Sequence, residues 1–243
     1  DQIVSMFRTS TRSSYGLVTS AGRLVLAHVV ELPKVSADGP LSVTGGVKAE
    51  ELLGMTENTD PIRGERVIAA IDMPSTDDGG QLVPLALGTR NGVVKRWNRE
   101  SPTTMDSWSV IDLKDDDEVL AAAEARDEDR LVFVSTDSSL LTFEAKNVRP
   151  QGRTAGGMAG IRLAEGCSVA AFAVVPDGKV TWNYEEGENG LFSAPGAVVL
   201  TVAGDSEALP GTENGAAKVT PLEMYPTKGR GTGGVRSQRF LKG

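Results

Sequence analysis

Glycine and arginine recur together in two stretches of the sequence at one constant offset. The matched positions are Gly152 and Gly229, Arg153 and Arg230, Gly156 and Gly233, Gly157 and Gly234, and Arg162 and Arg239. Because glycine permits positive φ angles and close backbone approach, such stretches are typical of tight loops. Arginine in a loop can project toward anions and grip a phosphate with two parallel hydrogen bonds. Two copies of one loop also indicate an internal repeat.

The basic charge is concentrated in these loops, although the chain as a whole is acidic, with a formal net charge of −8. Residues 1–150 carry 16 Lys and Arg against 24 Asp and Glu, whereas residues 151–243 carry nine of each. From residue 218 onward there are six basic side chains and one acid, Glu223. The charge argues against a protein that coats DNA with its whole surface, and it predicts a local basic patch on an acidic body.

Catalytic chemistry has little support in this composition. The chain has one histidine, His28, and one cysteine, Cys167, so no set of nucleophile, base and orienting residue can be assembled. His28 is interpreted as a strand residue. The glycine-rich strings lack P-loop and Rossmann spacing, and the acidic runs at 115–118 and 185–188 are interpreted as solvated turns. We therefore predict no catalytic residue and no metal ligand.

Targeting signals are also absent from the sequence. No window approaches the ~18 consecutive apolar residues of a membrane span, and the N-terminus lacks the form of a signal peptide. A lone cysteine fits a reducing compartment. The expectation is a cytoplasmic domain without a membrane partner.

Short strands and turns fill the chain, and no helical periodicity is sustained. Hairpins are predicted at 15–27, 85–97 and 131–143, around turns at 21–22, 90–92 and 137–139. Strands at 67–71, 119–123 and 169–175 open successive units, and residues 1–7 show a similar alternating pattern. The last unit adds a strand at 197–202 and ends with 214–219, after an insertion at 177–195 that is predicted to be an exposed loop.

Four units of this kind, at 1–63, 64–115, 116–165 and 166–243, are in circular register. Repeated four-stranded units without helices between them indicate an all-β, propeller-like domain spanning 1–243. Trp97, Trp108 and Trp182 are interpreted as packing residues of this fold, not as platforms for stacked bases.

Three phrases of the sequence resemble the C-terminal domain of bacterial type IIA topoisomerase A subunits, the family that comprises the A subunits of DNA gyrase and topoisomerase IV. They are Gly22-Arg23-Leu24-Val25 to Glu31-Leu32-Pro33, Thr89-Arg90-Asn91-Gly92-Val93-Val94-Lys95-Arg96, and Tyr225-Pro226-Thr227-Lys228-Gly229-Arg230-Gly231-Thr232-Gly233-Gly234-Val235-Arg236. The resemblance recurs in each unit and covers essentially the whole chain. The gyrase signature Gln-Arg-Arg-Gly-Gly-Lys-Gly is absent, which favours a topoisomerase IV-like or degenerate gyrase-like domain. Four units are also fewer than the family's usual five or six blades.

The resemblance implies a β-pinwheel, a propeller-like disc whose blades exchange strands and whose rim binds and bends double-stranded DNA. It implies no activity and no cofactor in this domain. The cleaving tyrosine would lie in a separate N-terminal breakage-reunion region, and an ATPase subunit would be the partner of a parent enzyme that uses ATP and Mg²⁺. The expected location is the bacterial cytoplasm, at the nucleoid.

DNA binding requires cations spaced along a surface, because phosphate neutralisation dominates affinity. The residues expected to contact DNA are Arg153, Arg162, Lys228, Arg230, Arg236, Arg239, Arg90, Lys95, Arg96 and Lys218. In unit one, Ser42 stands at the position of the loop arginine and Glu51 at the position of the later arginine. In unit two, Asp106 stands at the position of the first paired glycine and Asp112 at that of the later arginine. The rim is therefore expected to be polarised toward units three and four. The alternatives are arginines that only hold loop carbonyls, and an acidic propeller that binds protein.

Overall fold

A computed structural model describes residues 5–32, 48–49, 64–73, 82–114, 116–187, 190–194, 196–203 and 216–238. The elements whose bounds are described are strands and single 3-10 turns, so the all-β prediction is confirmed. The strands are β1 Ser14–Thr19, β2 Arg23–His28, β3 Val67–Met73, β4 Leu85–Thr89, β5 Val93–Trp97, β6 Ser107–Ser109, β7 Val119–Glu124, β8 Arg130–Ser135, β9 Ser139–Glu144, β10 Pro150–Gln151, β11 Met158–Ala159, β12 Val169–Val175, β13 Asn183–Gly187, β14 Gly190–Ala194, β15 Val198–Ala203, β16 Ala216–Pro221 and β17 Val235–Arg236.

The strands form sheets that combine neighbouring sequence units. The first sheet has the order β3-β1-β2-β6, the second β10-β5-β4-β7 with β11 also paired to β5, and the third β12-β8-β9-β17. In each sheet the central hairpin comes from one unit, while the flanking strands come from the next unit. This arrangement is the strand exchange that the resemblance implied. β13 pairs with β14, and β15 pairs with β16.

The hairpin turns share one backbone feature, a residue with positive φ just before the second strand. Gly22 has φ 73° and Gly92 has φ 84°, whereas the third hairpin places Ser138 there with φ 65°. Ser138 tolerates this conformation because its neighbours hold the turn: the Ser135 hydroxyl and the Ser139 hydroxyl both donate to the Asp137 carboxylate. These hydrogen bonds, led by that from Ser135, lower the pKa of Asp137.

The chain divides into two compact units, and each has its own core. One comprises Asp1–Thr89, Lys95–Glu124 and Pro150–Gly157. In it, Trp97 and Trp108 are buried and meet edge to face, with ring centroids 6.4 Å apart. The interpretation of these two tryptophans as packing residues is confirmed.

The other unit comprises Arg90–Val94, Ala125–Arg149 and Met158–Gly243. The rings of Phe133 and Phe172 are 4.7 Å apart in its core, and Phe143 stacks on Phe133. A neighbouring cluster contains Leu140 and Tyr225, and Val199 of β15 packs against it.

Two sequence predictions are corrected by the structure. Residues 5–7 are irregular rather than part of an opening strand. The insertion predicted as a loop contains the hairpin β13–β14, in which Asn183 pairs with Ala194. The two strands contain no β-branched residue, and their glycines and acids favour a loop, so the sequence carries little strand signal here. The predictions for residues 1–4, Ser42 and Glu51 lie outside the described residues.

His28 is the last residue of β2, as interpreted, and its Nδ1 lies 3.0 Å from the Ser14 hydroxyl. No helix in the described part of the chain is long and apolar enough to cross a membrane.

Candidate nucleic-acid interface

Two glycine–arginine loops occupy equivalent places in the sheets. Loop A, residues 152–157, follows β10, which runs parallel to β5, and precedes β11, which returns antiparallel onto the same strand. Loop B, residues 229–234, follows a parallel bridge between Thr227 and Thr142 and precedes β17, which returns antiparallel onto β9. The register of the sequence repeat is therefore also the register of the structure.

Loop A is fastened to β5 by the side chain of Lys95. The Lys95 Nζ donates to the carbonyl oxygens of Arg153, at 3.0 Å, and Ala155, at 2.6 Å. Lys95 has no exposed surface. Burial lowers the pKa of Lys95 to about 8, although the nearby carboxylates of Asp112 and Glu100 act in the opposite direction. The backbone N–H of Asp112 also donates to Ala155, at 3.2 Å.

Loop B carries its own fastening lysine. The Lys228 Nζ donates to the Gly234 carbonyl at 3.1 Å, and the Thr232 hydroxyl donates to the Gly229 carbonyl at 2.9 Å. Gly234 has φ 73°, and a Cβ added there would lie 2.4 Å from the Leu140 carbonyl oxygen. Only glycine fits this approach of the loop to β9.

Loop B also brings two of the expected DNA-binding arginines together. The Arg230 guanidinium donates to the carbonyls of Asn147, at 3.1 Å, and Ala159, at 3.2 Å. The backbone N–H of Arg162 donates to Thr232 at 3.0 Å, next to a bridge that pairs Ile161 with the same threonine. Both Arg162 and Arg230 are exposed.

The other expected residues fall into different environments. Arg153 is half-buried and Arg236 is exposed, and within the described ranges neither guanidinium has a hydrogen-bond or ion-pair partner. Arg90 is exposed in the turn between β4 and β5. Lys218 is exposed on β16, and its Nζ donates to the Ser237 carbonyl at 3.1 Å. Arg239 lies outside the described residues.

Lys95 and Arg96 were expected to contact DNA, but their side chains are 0% and 2% exposed. Direct contact of either side chain with a phosphate does not fit these positions. Lys95 instead holds loop A, a function that a single-sequence charge count cannot distinguish from phosphate binding. Neither residue is therefore a proposed DNA contact.

Loop A borders an open groove of about 710 Å³ within its compact unit. Arg153 and Thr154 line one part, and Arg23, Trp108 and Asp112 are among the residues that line the rest. Arg23 is ion-paired with Glu65 at 2.6 Å. Among the described residues no group of three or more His, Cys, Asp or Glu could hold a metal ion.

Comparison with known proteins finds similarity to the same family that the sequence phrases resemble. The family model of the DNA gyrase C-terminal domain, beta-propeller, matches residues 129–176 and 211–243. The DNA gyrase A subunit of Staphylococcus epidermidis is 28% identical over 241 residues, which is 97% of this chain and 22% of that protein. The DNA gyrase A subunit of Deinococcus deserti is 27% identical over 234 residues, 95% of this chain and 24% of that protein. The chain thus spans about a quarter of the length of these curated relatives.

Two solved structures share the fold. The C-terminal domain of DNA topoisomerase IV aligns with a TM-score of 0.67 and 23% identity, covering 96% of this chain and 60% of that one. The E. coli ParC C-terminal domain aligns with a TM-score of 0.58 and 16% identity, covering 95% and 78%. The fold class is therefore the β-pinwheel, a propeller-like fold whose sheets exchange strands.

Within that class, the chain is similar in sequence to the A subunit of DNA gyrase and in fold to the C-terminal domain of topoisomerase IV. The resemblance predicted from the sequence is confirmed.

Proposed function

We propose that this domain binds double-stranded DNA without sequence preference and bends it, as an accessory domain of the A subunit of a type IIA topoisomerase. The observation that carries the proposal is the docking of loop B on residues 159–162, which joins the two backbone segments that carry the exposed Arg162 and Arg230. Arginine side chains on a fixed backbone suit phosphate oxygens, because two or more hydrogen bonds can form without ordering a flexible loop.

The other contacts follow from exposure and from the sequence repeat. Arg153 in loop A, Arg236 on β17, and Lys218, Lys228 and Arg90 extend the set of cations, and Arg239 continues it in sequence. The loops are polar and rich in backbone N–H groups, which also bind phosphate. The acidic remainder of the domain limits binding to these surfaces and makes the affinity sensitive to salt.

In this proposal the domain performs no chemistry of its own. It guides the transported duplex toward a breakage-reunion region elsewhere in the same polypeptide, whose tyrosine cleaves DNA. The ATPase subunit is the expected partner of the complete enzyme, and ATP and Mg²⁺ are used outside this domain. The proposed location is the bacterial cytoplasm, in association with the nucleoid.

A salt series tests this proposal. Fluorescence anisotropy with a labelled duplex of a few helical turns should give a dissociation constant that rises linearly with salt on logarithmic axes, with a slope of several ions. Unlabelled duplexes of unrelated sequence should compete equally well. Absence of binding at low salt would overturn the proposal.

A second candidate function, binding of a protein partner, has one specific observation in its favour. The hairpin β15–β16 exposes Leu200, Val202 and Val219 by 61%, 69% and 62%, and Leu200 is directly opposite Val219. Together with the net charge of −8, such a face suits an interaction module. This candidate predicts little DNA affinity at any salt concentration, so the same titration separates the two functions.

A further inference from the structure

Lys95 occupies a position that the next hairpin fills with an apolar side chain. By the pairing registers, Val94 of β5 corresponds to Leu140 of β9, so Lys95 corresponds to Leu141, which is 1% exposed. A lysine is rarely buried without a partner, since its charge loses hydration. Lys95 is buried and directs its ammonium at two loop carbonyls. Apolar packing, which Leu141 provides at the equivalent position, does not explain why a lysine stands at position 95.

The two loops differ at a second position in a complementary way. Lys228, which fastens loop B from within, corresponds in the repeat to Gln151 next to loop A. In the described part of the chain Gln151 shows no side-chain hydrogen bond to a loop A carbonyl, and its Oε1 is buried without a donor, so Gln151 does not close loop A as Lys228 closes loop B. Each loop therefore receives one ammonium, from the neighbouring strand in loop A and from its own chain in loop B.

We infer that Lys95 is a positioning residue, which fixes the backbone of loop A at residues 153 and 155 so that Arg153 is presented to phosphate. Its ammonium contacts loop A alone among the carbonyls described, so its effect on DNA passes through that loop. The part of this inference that concerns DNA rests on the proposed function, whereas the part that concerns the order of loop A does not.

Lys95→Met tests the inference, because methionine keeps most of the side-chain volume and removes the donor. Amide hydrogen exchange of loop A should accelerate about tenfold or more, since the loss of two charge-assisted hydrogen bonds shifts the closed loop toward open forms. Exchange in β4 and β7 should remain slow. The exposed Lys179→Met makes the same change of charge and should leave loop A unchanged.

DNA affinity gives a second readout of the same variant. Lys95→Met should weaken binding about as much as Arg153→Ala, and the double variant should be no weaker than Arg153→Ala alone. Additive losses would show that Lys95 does not act through Arg153. If the wild-type domain does not bind DNA, the proposed function fails, and the exchange experiment still decides whether Lys95 orders loop A.

A rescue variant keeps the test decisive even if Lys95→Met folds poorly. Gln151→Lys, added to Lys95→Met, supplies an ammonium at the position that Lys228 occupies in the other loop. It should restore slow exchange to loop A. Unchanged exchange of loop A in a folded Lys95→Met domain, or fast exchange that Gln151→Lys does not reverse, would overturn the inference.

Discussion

Loops A and B follow the same path but are stabilised by different side chains. Both lie between a parallel contact and an antiparallel return onto the second strand of a hairpin. Loop A is held by Lys95 of β5, and loop B by Lys228 and by the two carbonyl contacts of Arg230. The two loops therefore share their backbone path, although different side chains hold that path in place.

A third equivalent segment lacks the glycines and arginines of loops A and B. β6 returns onto β2 in the same register, with Trp108 opposite Leu24, but Asp106 and Ser107 stand where the other segments have paired glycines. Asp112 follows where Arg162 stands in the next unit. This segment keeps a turn at 103–104 but has neither the glycine pair nor the later arginine, which agrees with a rim whose binding capacity is unequal among units.

The largest effect is expected from a substitution of Gly234 in loop B. Gly234→Ala places a Cβ 2.4 Å from the Leu140 carbonyl oxygen at φ 73°, so we expect the free energy of unfolding to fall by roughly 2–4 kcal/mol. Gly229→Ala, which meets no atom within 4 Å, is the matched control. Denaturant unfolding measures both, and equal stabilities would contradict this account of loop B.

The next effect concerns the pH dependence of the contribution that Lys95 makes to stability. The pKa of Lys95 is about 8 instead of 10.5, so between these values the unfolded chain binds more protons than the folded domain. The contribution of Lys95 to stability therefore increases as pH rises through this window, by up to about 3 kcal/mol.

Lys95→Met removes that contribution. The unfolding free energy of the wild type minus that of the variant should rise between pH 8 and 10.5, as measured by denaturant titration at each pH. The carboxylates of Asp112 and Glu100 raise the pKa of Lys95 and so oppose the effect of burial. Asp112→Asn and Glu100→Gln should therefore lower the pH at which the rise begins. If the unfolding free energy of the wild type minus that of the variant stays constant or falls as pH rises, the lowered pKa of Lys95 is contradicted.

A smaller effect distinguishes the two arginines that loop B brings together. Arg230→Ala should weaken DNA binding about tenfold, equivalent to about 1.4 kcal/mol, and accelerate amide exchange in loop B because two carbonyls lose their donor. Arg162→Ala should weaken binding similarly without changing exchange, since only its backbone is held by the loop. If both variants alter exchange equally, the guanidinium of Arg230 has no separate role in loop order.

The smallest effect is expected outside the glycine–arginine loops. Arg90→Glu, in an exposed turn, should weaken DNA binding about threefold or less, whereas reversal within the loops should have a larger effect. Arg12→Glu, on an exposed segment of the first unit, is the matched control. An abolition of binding by Arg90→Glu would reverse the proposed polarity of the rim.

The sequence predicted the hairpins well, because turn residues and alternating apolar residues are local signals. Residues 169–175 were placed as a strand with the bounds of β12, and Asn91-Gly92 marked the β4–β5 turn. Strand exchange came from the family resemblance alone, since pairing between units depends on contacts distant in sequence. The exposure of Lys95 and Arg96 was misjudged because strand alternation does not show that both faces of β5 are covered.

The most direct measurement of the central claim compares the salt dependence of DNA binding by the wild type and by Arg153→Glu/Arg230→Glu. If the loops grip phosphates, the double reversal should weaken binding strongly at low salt and reduce the slope by about two ions, roughly one for each lost contact. Arg12→Glu should retain the wild-type slope. An unchanged affinity and slope in the double variant would contradict a DNA interface built on loops A and B.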